Sequence, residues 1–547
     1  MSKNFAFTLK LLIGILLINV LGNQAYKRFD ITQDQRYTLT EISIAIVTAI
    51  EAPLYVKIYL QGEFPAEFKR LQIETKQFLE ELRAINSNIK IQFVNPDSFR
   101  ETLIKKGMTP SRLTVEEGGK LSEAIIFPWA ELIYKNKVEL VNLLPNSNAI
   151  SQDEQLQFAI ESLEFSFAAA IKNSSRNKKQ TIAVITGNGQ LEDVYMYSFL
   201  SGIANKYNLA KFTLDSVLTN PQKTLKDLTS FDLAIIAKPT IQFSDNEKLT
   251  LDQFIANGGK TLWMLDNVQA DQDSLLAAGK MLAYPRDLNL TDLLFAYGVR
   301  INTGLIKDLY AAKIPVATGN VGDKTQFQNL PWFYHPLVNG NPNHPITKNI
   351  RPVRLQFATQ IDTLKSDNII KTPLLVSSLL TAKVGTPNFV TLESIAEEPT
   401  EATYKSGHQL LGVLLEGKFN SAYKNRIKPF ETPLFKDTSA DNKMVVIADG
   451  DIAKNQLLKG QPIDLSVDKW TQEAFGNKEF LLNTVDYLLD DDGLINLRNK
   501  SLKINLLDKQ RAFEERSFWQ VFNIVLPLVF LAIFGVVFNY LRKKKYS

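Results

Sequence analysis

The stretch TIAVITGNGQ, residues 181–190, decides the reading of the fold. Residues 181–186 are all apolar or β-branched and run without a charge into Gly187-Asn188-Gly189. That is the pattern of a strand buried on both faces and closed by a tight turn. The pattern returns in FDLAIIAKP at 231–239 and KTLWMLD at 260–266. Helices are expected between these strands, one from the turn to about residue 207 and one over 244–257. Ser244 and Glu247 stand at capping-box spacing, and Gly258-Gly259 supplies the C-terminal stop. Buried strands alternating with amphipathic helices predict a parallel sheet with helices on both faces. NKMVVIAD at 442–449 restores the pattern, so residues 176–507 read as one α/β domain with an insertion at about 270–440. Within the insertion, 353–364, 374–378 and 409–417 read as strands. His335-Pro336 and His344-Pro345 fall in a loop-rich piece with Pro331, Gly340 and Pro342, where exposed loop histidines are the ordinary expectation.

Working upstream, the polar and basic run NSSRNKKQ at 173–180 marks a domain boundary. Residues 26–175 then form a smaller α/β domain. LYVKIYL at 54–60 and IKIQFV at 89–94 read as strands, and Phe68, Leu71, Phe78 and Leu82 recur at helical spacing between them. This is a βαβ unit, expected to be parallel and right-handed. Short strands over 124–134 and 138–144 follow, with a hairpin turn at Lys135-Asn136-Lys137. The order is similar to a thioredoxin-like fold. The chain has no cysteine, so such a fold would serve as a scaffold.

Both ends carry membrane signals. FWQVFNIVLPLVFLAIFGVVFNYL at 518–541 has no charge, and its 24 residues reach roughly 36 Å as a helix, enough for a ~30 Å hydrocarbon core. Phe518, Trp519 and Tyr540 suit the interfaces. Arg542, Lys543, Lys544 and Lys545, in the basic tail 542–547, mark the cytoplasmic side. Pro527 and Gly535 would permit a kink or a close approach to a neighbouring helix. At the other end, residues 1–25 read as a second anchor. A cleaved signal peptide shares its charged start and short apolar core. The charged segment 508–517 is a juxtamembrane helix or a partner surface.

Composition narrows the chemistry. Net charge is +4, part of it in the terminal basic cluster, so no nucleic-acid footprint is expected. The missing cysteines remove disulfides, thiolate nucleophiles and Cys-ligated metal. Gly258-Gly259-Lys260-Thr261 does not make a phosphate loop. Position 254 is Phe254 rather than glycine, and the run follows a helix and enters a strand. Neither a G-x-S-x-G elbow nor an HExxH motif occurs. Asp490, Asp491 and Asp492 oppose a helix macrodipole and need compensation; a solvated turn is expected there rather than a metal site. No cofactor and no catalytic residue is assigned. Ligand-facing turns, if any, lie beyond the carboxyl ends of the parallel strands, at Gly187, Asn188 and Gly189, at Asp266 and Asn267, and at Asp449 and Asp451. The same residues also suit plain tight turns.

The whole layout resembles the GldG family of gliding-motility-associated ABC-transporter auxiliary subunits. The residues that carry the resemblance are Arg36-Tyr37-Thr38-Leu39-Thr40, the run 53–71, the turn 186–190, and 488–500 before the last helix. Many relatives carry Glu where this chain has Gln190. The resemblance implies a glutamine-amidotransferase-like second domain without its catalytic cysteine. It also implies a multi-spanning permease and a cytoplasmic ABC ATPase as partners, with two copies per complex and contacts to other envelope motility or secretion proteins. The expected location is the bacterial inner membrane, with both termini cytoplasmic and the main domains periplasmic. A membrane-anchored binder of glycan or peptide, working without an ATPase, is the alternative, and an envelope hydrolase using the 181–266 turns is a third.

Overall fold

The computed structural model describes residues 14, 38–62, 66–117, 120–144, 152–175, 179–321, 324–499 and 513–546. The expected N-terminal anchor, apart from residue 14, and the segment 508–512 lie outside the described residues.

The first sheet has the order β2-β1-β3-β4, formed by β1 (Leu54–Ile58), β2 (Ile89–Phe93), β3 (Trp129–Tyr134) and β4 (Lys137–Asn142). β1 and β2 are parallel, joined by the amphipathic helix α1 (Ala66–Ile85), and β3 and β4 are antiparallel neighbours closed by the expected hairpin turn. Lys135 takes a φ of 52° in that turn. Leu54, Val56 and Ile58 point inward from alternate positions of β1, which is why a strand forms there at all. Helix α2 (Leu163–Ser175) buries Phe167 and Ile171 and meets Leu494 and Leu497 near the end of the α/β region.

The second sheet has seven strands. The chain passes through β5 (Thr181–Thr186), helix α3 (Asp193–Ala204), β6 (Asn208–Thr213), β7 (Leu233–Ala237), helix α4 (Asp245–Ala256) and β8 (Lys260–Met264). It then leaves for an insertion that contains a long hairpin, β9 (Ala311–Val321) and β10 (Lys324–Val338). It returns as β11 (Ile369–Val376), β12 (Leu410–Asn420) and β13 (Thr438–Ile447), followed by helix α5 (Asn477–Leu488). In space the order is β11-β12-β13-β8-β7-β5-β6. The five strands from β13 to β6 are parallel, and β12 and β11 extend that sheet antiparallel. The sheet is therefore mixed.

Both faces are covered, as the uninterrupted apolar strands require. Met196 and Phe199 of α3 pack with Phe480 and Val485 of α5 on one face, and Phe254 and Ile255 of α4 with Leu293 and Leu294 on the other. The capping box on α4 is present in full: the Ser244 backbone N–H donates to Glu247 Oε2 at 2.7 Å, and the Glu247 N–H donates to Ser244 Oγ at 3.3 Å. The segment 258–261 joins α4 to β8, and the ring of Phe254 lies against Gly259. The acids after α5 are compensated by lysines: Lys172 reaches Asp490 at 3.3 Å and Asp492 at 2.7 Å, and Lys260 reaches Asp491 at 3.5 Å.

Two corrections concern the insertion. It is rich in strands rather than irregular, and His335 lies inside β10. Its prolines hid this, since proline argues against a paired strand. Here Pro331 and Pro336 sit where the β9–β10 register shifts between Ala311 and Lys313. His344 also departs from expectation. It is buried rather than exposed, and its Nδ1 accepts the Ile346 N–H at 3.3 Å.

The C-terminal unit is described by itself. Helix α6 (Arg516–Tyr546) runs through Pro527, and its span Arg516–Lys544 is long and apolar enough to cross a membrane. None of its apolar window is buried.

Candidate functional site

Because β5, β7, β8 and β13 are parallel, their carboxyl ends share one edge of the sheet, the edge where ligands of open α/β sheets bind. Lys238 leaves β7 there with a φ of 50°, Asp266 lies just past β8, and Asp449, Gly450 and Asp451 follow β13. All four charged residues are buried. The Lys238 ammonium lies 2.5 Å from Asp451 Oδ1 and 3.5 Å from Asp266 Oδ2. Asp266 Oδ1 accepts the Gly450 N–H at 2.5 Å. The two oxygens of Asp449 each accept a backbone N–H at 2.7 Å, from Asp451 and from Gln356. A Cβ on Gly450 would stand 2.6 Å from Lys238 Cγ, so only glycine lets the lysine pass.

The electrostatics follow from burial and crowding. Burial draws the Lys238 ammonium towards neutrality, but Asp451 and Asp266 outweigh it and its pKa rises. Burial pushes the Asp266 carboxyl up, with Lys238 pulling the other way. Asp449 is pushed well above the carboxylate range, by burial and then by the nearby charges of Asp266 and Asp451. The ammonium fills the space between these carboxylates and ties three strand ends together.

The structure thus brings Asp266, Asp449 and Asp451 into one cluster. It sets the other turn residues to structural work. The Asn188 carbonyl accepts the N–H groups of Thr240 and Ile241, both at 2.9 Å, which clamps the turn after β5 onto the loop after β7. Gly189 has a φ of 68°, and a Cβ there would fall 2.1 Å from Thr240 Oγ1. Gly187 is also in the positive-φ region, and Asn267 Nδ2 donates to the Ile301 carbonyl at 2.9 Å.

A cavity of about 670 Å³ adjoins the cluster, with Gln356 and Lys454 belonging to both. Lys454 lies 4.0 Å from Asp451 and 3.2 Å from Asp273 on the cavity rim. Hairpin β9–β10 forms one wall through Ile314, Phe327 and His335, and the loop bearing Asp468 and Trp470 forms another. Arg354 is buried and donates from Nη1 to Asp468 Oδ2 at 2.6 Å, with its guanidinium over the Phe475 ring. Asp468 is fully occupied: its other oxygen accepts the N–H groups of Trp470 and Thr471, both at 2.9 Å. Sequence reading missed Lys238, Arg354, Asp468 and Trp470, and took His335 for an exposed loop residue. Only Lys238 carried a local signal, a lone lysine directly after the buried run AIIA.

His335 is fully buried, and its pKa is lowered to about 3, by burial and then by the Arg354 cation. Folding therefore holds the imidazole neutral, whereas the unfolded chain takes up a proton near the ordinary 6.5. The stability this represents is complete above the unfolded value and is lost as pH falls towards the folded one. Denaturant unfolding of the wild type and of His335→Gln, compared between pH 7 and pH 4, is expected to show the variant losing less stability, by several kcal/mol at about 1.4 kcal/mol per pKa unit. Equal losses would mean that the imidazole protonates freely in the folded state. Asp266 and Asp449 act with the opposite sign in both proteins and cancel from the comparison.

Comparison with known proteins assigns the α/β region to a family. A family model described as an ABC-type uncharacterized transport system matches residues 179–484, more than half of the chain, and the chain belongs to that family. A second family model, described as a domain of unknown function, matches residues 33–133. An uncharacterized protein of Borreliella burgdorferi strain B31 is 21% identical over 552 residues, which cover 98% of this chain and 97% of the relative. Among solved structures, the mmIFT52 N-terminal domain is similar over 60% of this chain and 100% of that one, at 13% identity and a TM-score of 0.32. Family membership makes the chain an auxiliary component associated with ABC transport.

Proposed function

We propose that this protein is a non-catalytic inner-membrane subunit of an ABC-type transporter. In this reading it is held in the bilayer by α6 and presents its α/β region on the periplasmic side. The observation that carries the reading is α6 itself: an apolar helix with no buried residues in its apolar window, ending in a basic run, in a chain of an ABC transport family. Its exposed Phe530, Phe534 and Val536 need lipid or other helices around them. The partners are a multi-spanning permease and a cytoplasmic ATPase. Nucleotide hydrolysis belongs to the ATPase in this reading; the run Gly258-Gly259-Lys260-Thr261 leads from α4 straight into β8 and has Phe254 where a phosphate loop needs glycine. Residues 1–25 serve as a second anchor, so both termini are cytoplasmic.

The domain reading divides the large part at about residue 175. The order β2-β1-β3-β4 supports a thioredoxin-like first domain. The five parallel strands, with β5 between β6 and β7, support an amidotransferase-like second domain over 176–507. The process served is gliding motility or its associated secretion system, as the GldG resemblance implies.

The cysteine-free chain allows a direct test of topology. A membrane-impermeant maleimide is expected to label Asp367→Cys in intact spheroplasts, and to label Ser547→Cys only after the membrane is permeabilised. The reverse pattern would overturn the orientation.

A further inference from the structure

Four charged side chains line a second cavity, of about 260 Å³: Glu161, Arg351, Glu479 and Arg498. Helix Gln152–Glu161 and α2 wall it on one side, and residues 349–351, α5 and the turn Leu494–Asn499 on the other. None of the four forms a salt bridge with another of them or with any other of the described residues. Burial pushes the Glu479 carboxyl up, against the pull of Arg351, and draws the Arg498 cation down, against Asp486 and Glu479. In both cases burial prevails, as it does for an ionic group short of a contact partner.

Three of these groups are open to solvent as well as unpaired. No nitrogen of Arg351 or Arg498 is both buried and without a partner, and the same holds for the oxygens of Glu161, so their free atoms keep accessible surface. Glu161 Oε1 accepts from Gln157 Nε2 at 3.1 Å, which leaves Oε2. The Arg498 guanidinium lies over the Phe165 ring at 5.3 Å, a contact that supplies no acceptor for its five N–H groups. Two cations and two carboxylates sharing one small space without pairing constrain the charge of a ligand. A simple anion is opposed by the carboxylates and a simple cation by the guanidiniums, whereas a molecule with one charge of each sign is opposed by neither. Phe158 and Ile350 add an apolar wall, and the volume falls below the ~300 Å³ at which drug-sized sites begin. The matching ligand is small, dipolar and apolar at one end.

We propose that this cavity binds a free α-amino acid with an apolar side chain. Arg351 and Arg498 take the α-carboxylate, as guanidinium groups do through paired N–H donors. Glu161 Oε2 accepts from the α-ammonium, and Phe158 and Ile350 receive the side chain. Glu479 stays behind this layer and offsets the second guanidinium. The assignment is independent of the transporter reading. A chain that binds the amino acid but recovers no permease keeps the first and loses the second.

The test is equilibrium binding of radiolabelled leucine to the purified full chain in mild detergent. The competitors are N-acetylleucine, which lacks the ammonium, and leucinamide, which lacks the carboxylate. Leucine is expected to bind saturably, and each analogue at least tenfold more weakly. Arg498→Met and Glu161→Gln, on opposite walls, are each expected to weaken leucine at least tenfold. Neither residue has an ion pair to lose, so the melting temperature without leucine should not fall, whereas breaking a structural pair would lower it. Absence of saturable binding, an analogue as tight as leucine, or wild-type affinity in either variant would overturn the proposal. So would a melting temperature that falls in both variants, which would make these charges structural.

Discussion

Replacing Lys238 by methionine is expected to destabilise the α/β region by about 3–5 kcal/mol, the usual cost of removing one partner from a buried ion pair. Methionine keeps the volume and the stem but takes away the one cation lying 2.5 Å from Asp451 and 3.5 Å from Asp266. Arg286 at 3.9 Å from Asp266 and Lys454 at 4.0 Å from Asp451 are the more distant cations that remain, so each carboxylate keeps only a weak partner. The loss should shrink on acidification, because protonating the stranded carboxylates removes the repulsion that the lysine offset. Lys238→Arg keeps the charge but must fit a larger head beside Gly450, and should fall between wild type and methionine. Urea unfolding followed by fluorescence reads all three. A Lys238→Met protein as stable as wild type would show that the cluster does not tie the three strand ends together.

The second large effect concerns α6. Arginines at Phe530 and Phe534 together place two charges near the middle of the apolar span, each costing about 2.5–3.5 kcal/mol on insertion scales. The tail is then expected to stay outside, so Ser547→Cys becomes reactive to an impermeant maleimide in intact spheroplasts. Phe518→Arg, at the interface, should leave the tail protected, because a long side chain there reaches the headgroups. An unchanged protected tail in the double variant would contradict a transmembrane α6. Loss of the permease from the purified complex should accompany the inversion.

The parts legible in sequence were those with a short-range physical signature. Residues 181–186, 233–237 and 260–264 are buried on both faces, and such strands show as unbroken apolar runs. The cap at Ser244 and Glu247 was readable because both members lie within one helical turn. Hairpin β9–β10 had no such signature. Many of its side chains face solvent, and Pro331 and Pro336 flank a register shift. The site divides the same way. Asp266, Asp449 and Asp451 could be nominated because parallel strands bring their carboxyl ends to one edge. Arg354 and Asp468 lie 114 residues apart and meet through the insertion, whose path no local pattern reveals. His335 was misread for the same reason: the strands and Arg354 that bury it come from the tertiary fold.

The central claim is partnership with a permease and an ATPase. Its most direct test is a pull-down from native membranes in mild detergent through a tag on the C-terminal tail, with every recovered protein identified and quantified. The account predicts a multi-spanning permease and an ABC ATPase in fixed ratio to this chain. Recovery of the chain alone, under conditions that keep a known ABC complex intact, would contradict it and leave an anchored binding protein as the reading.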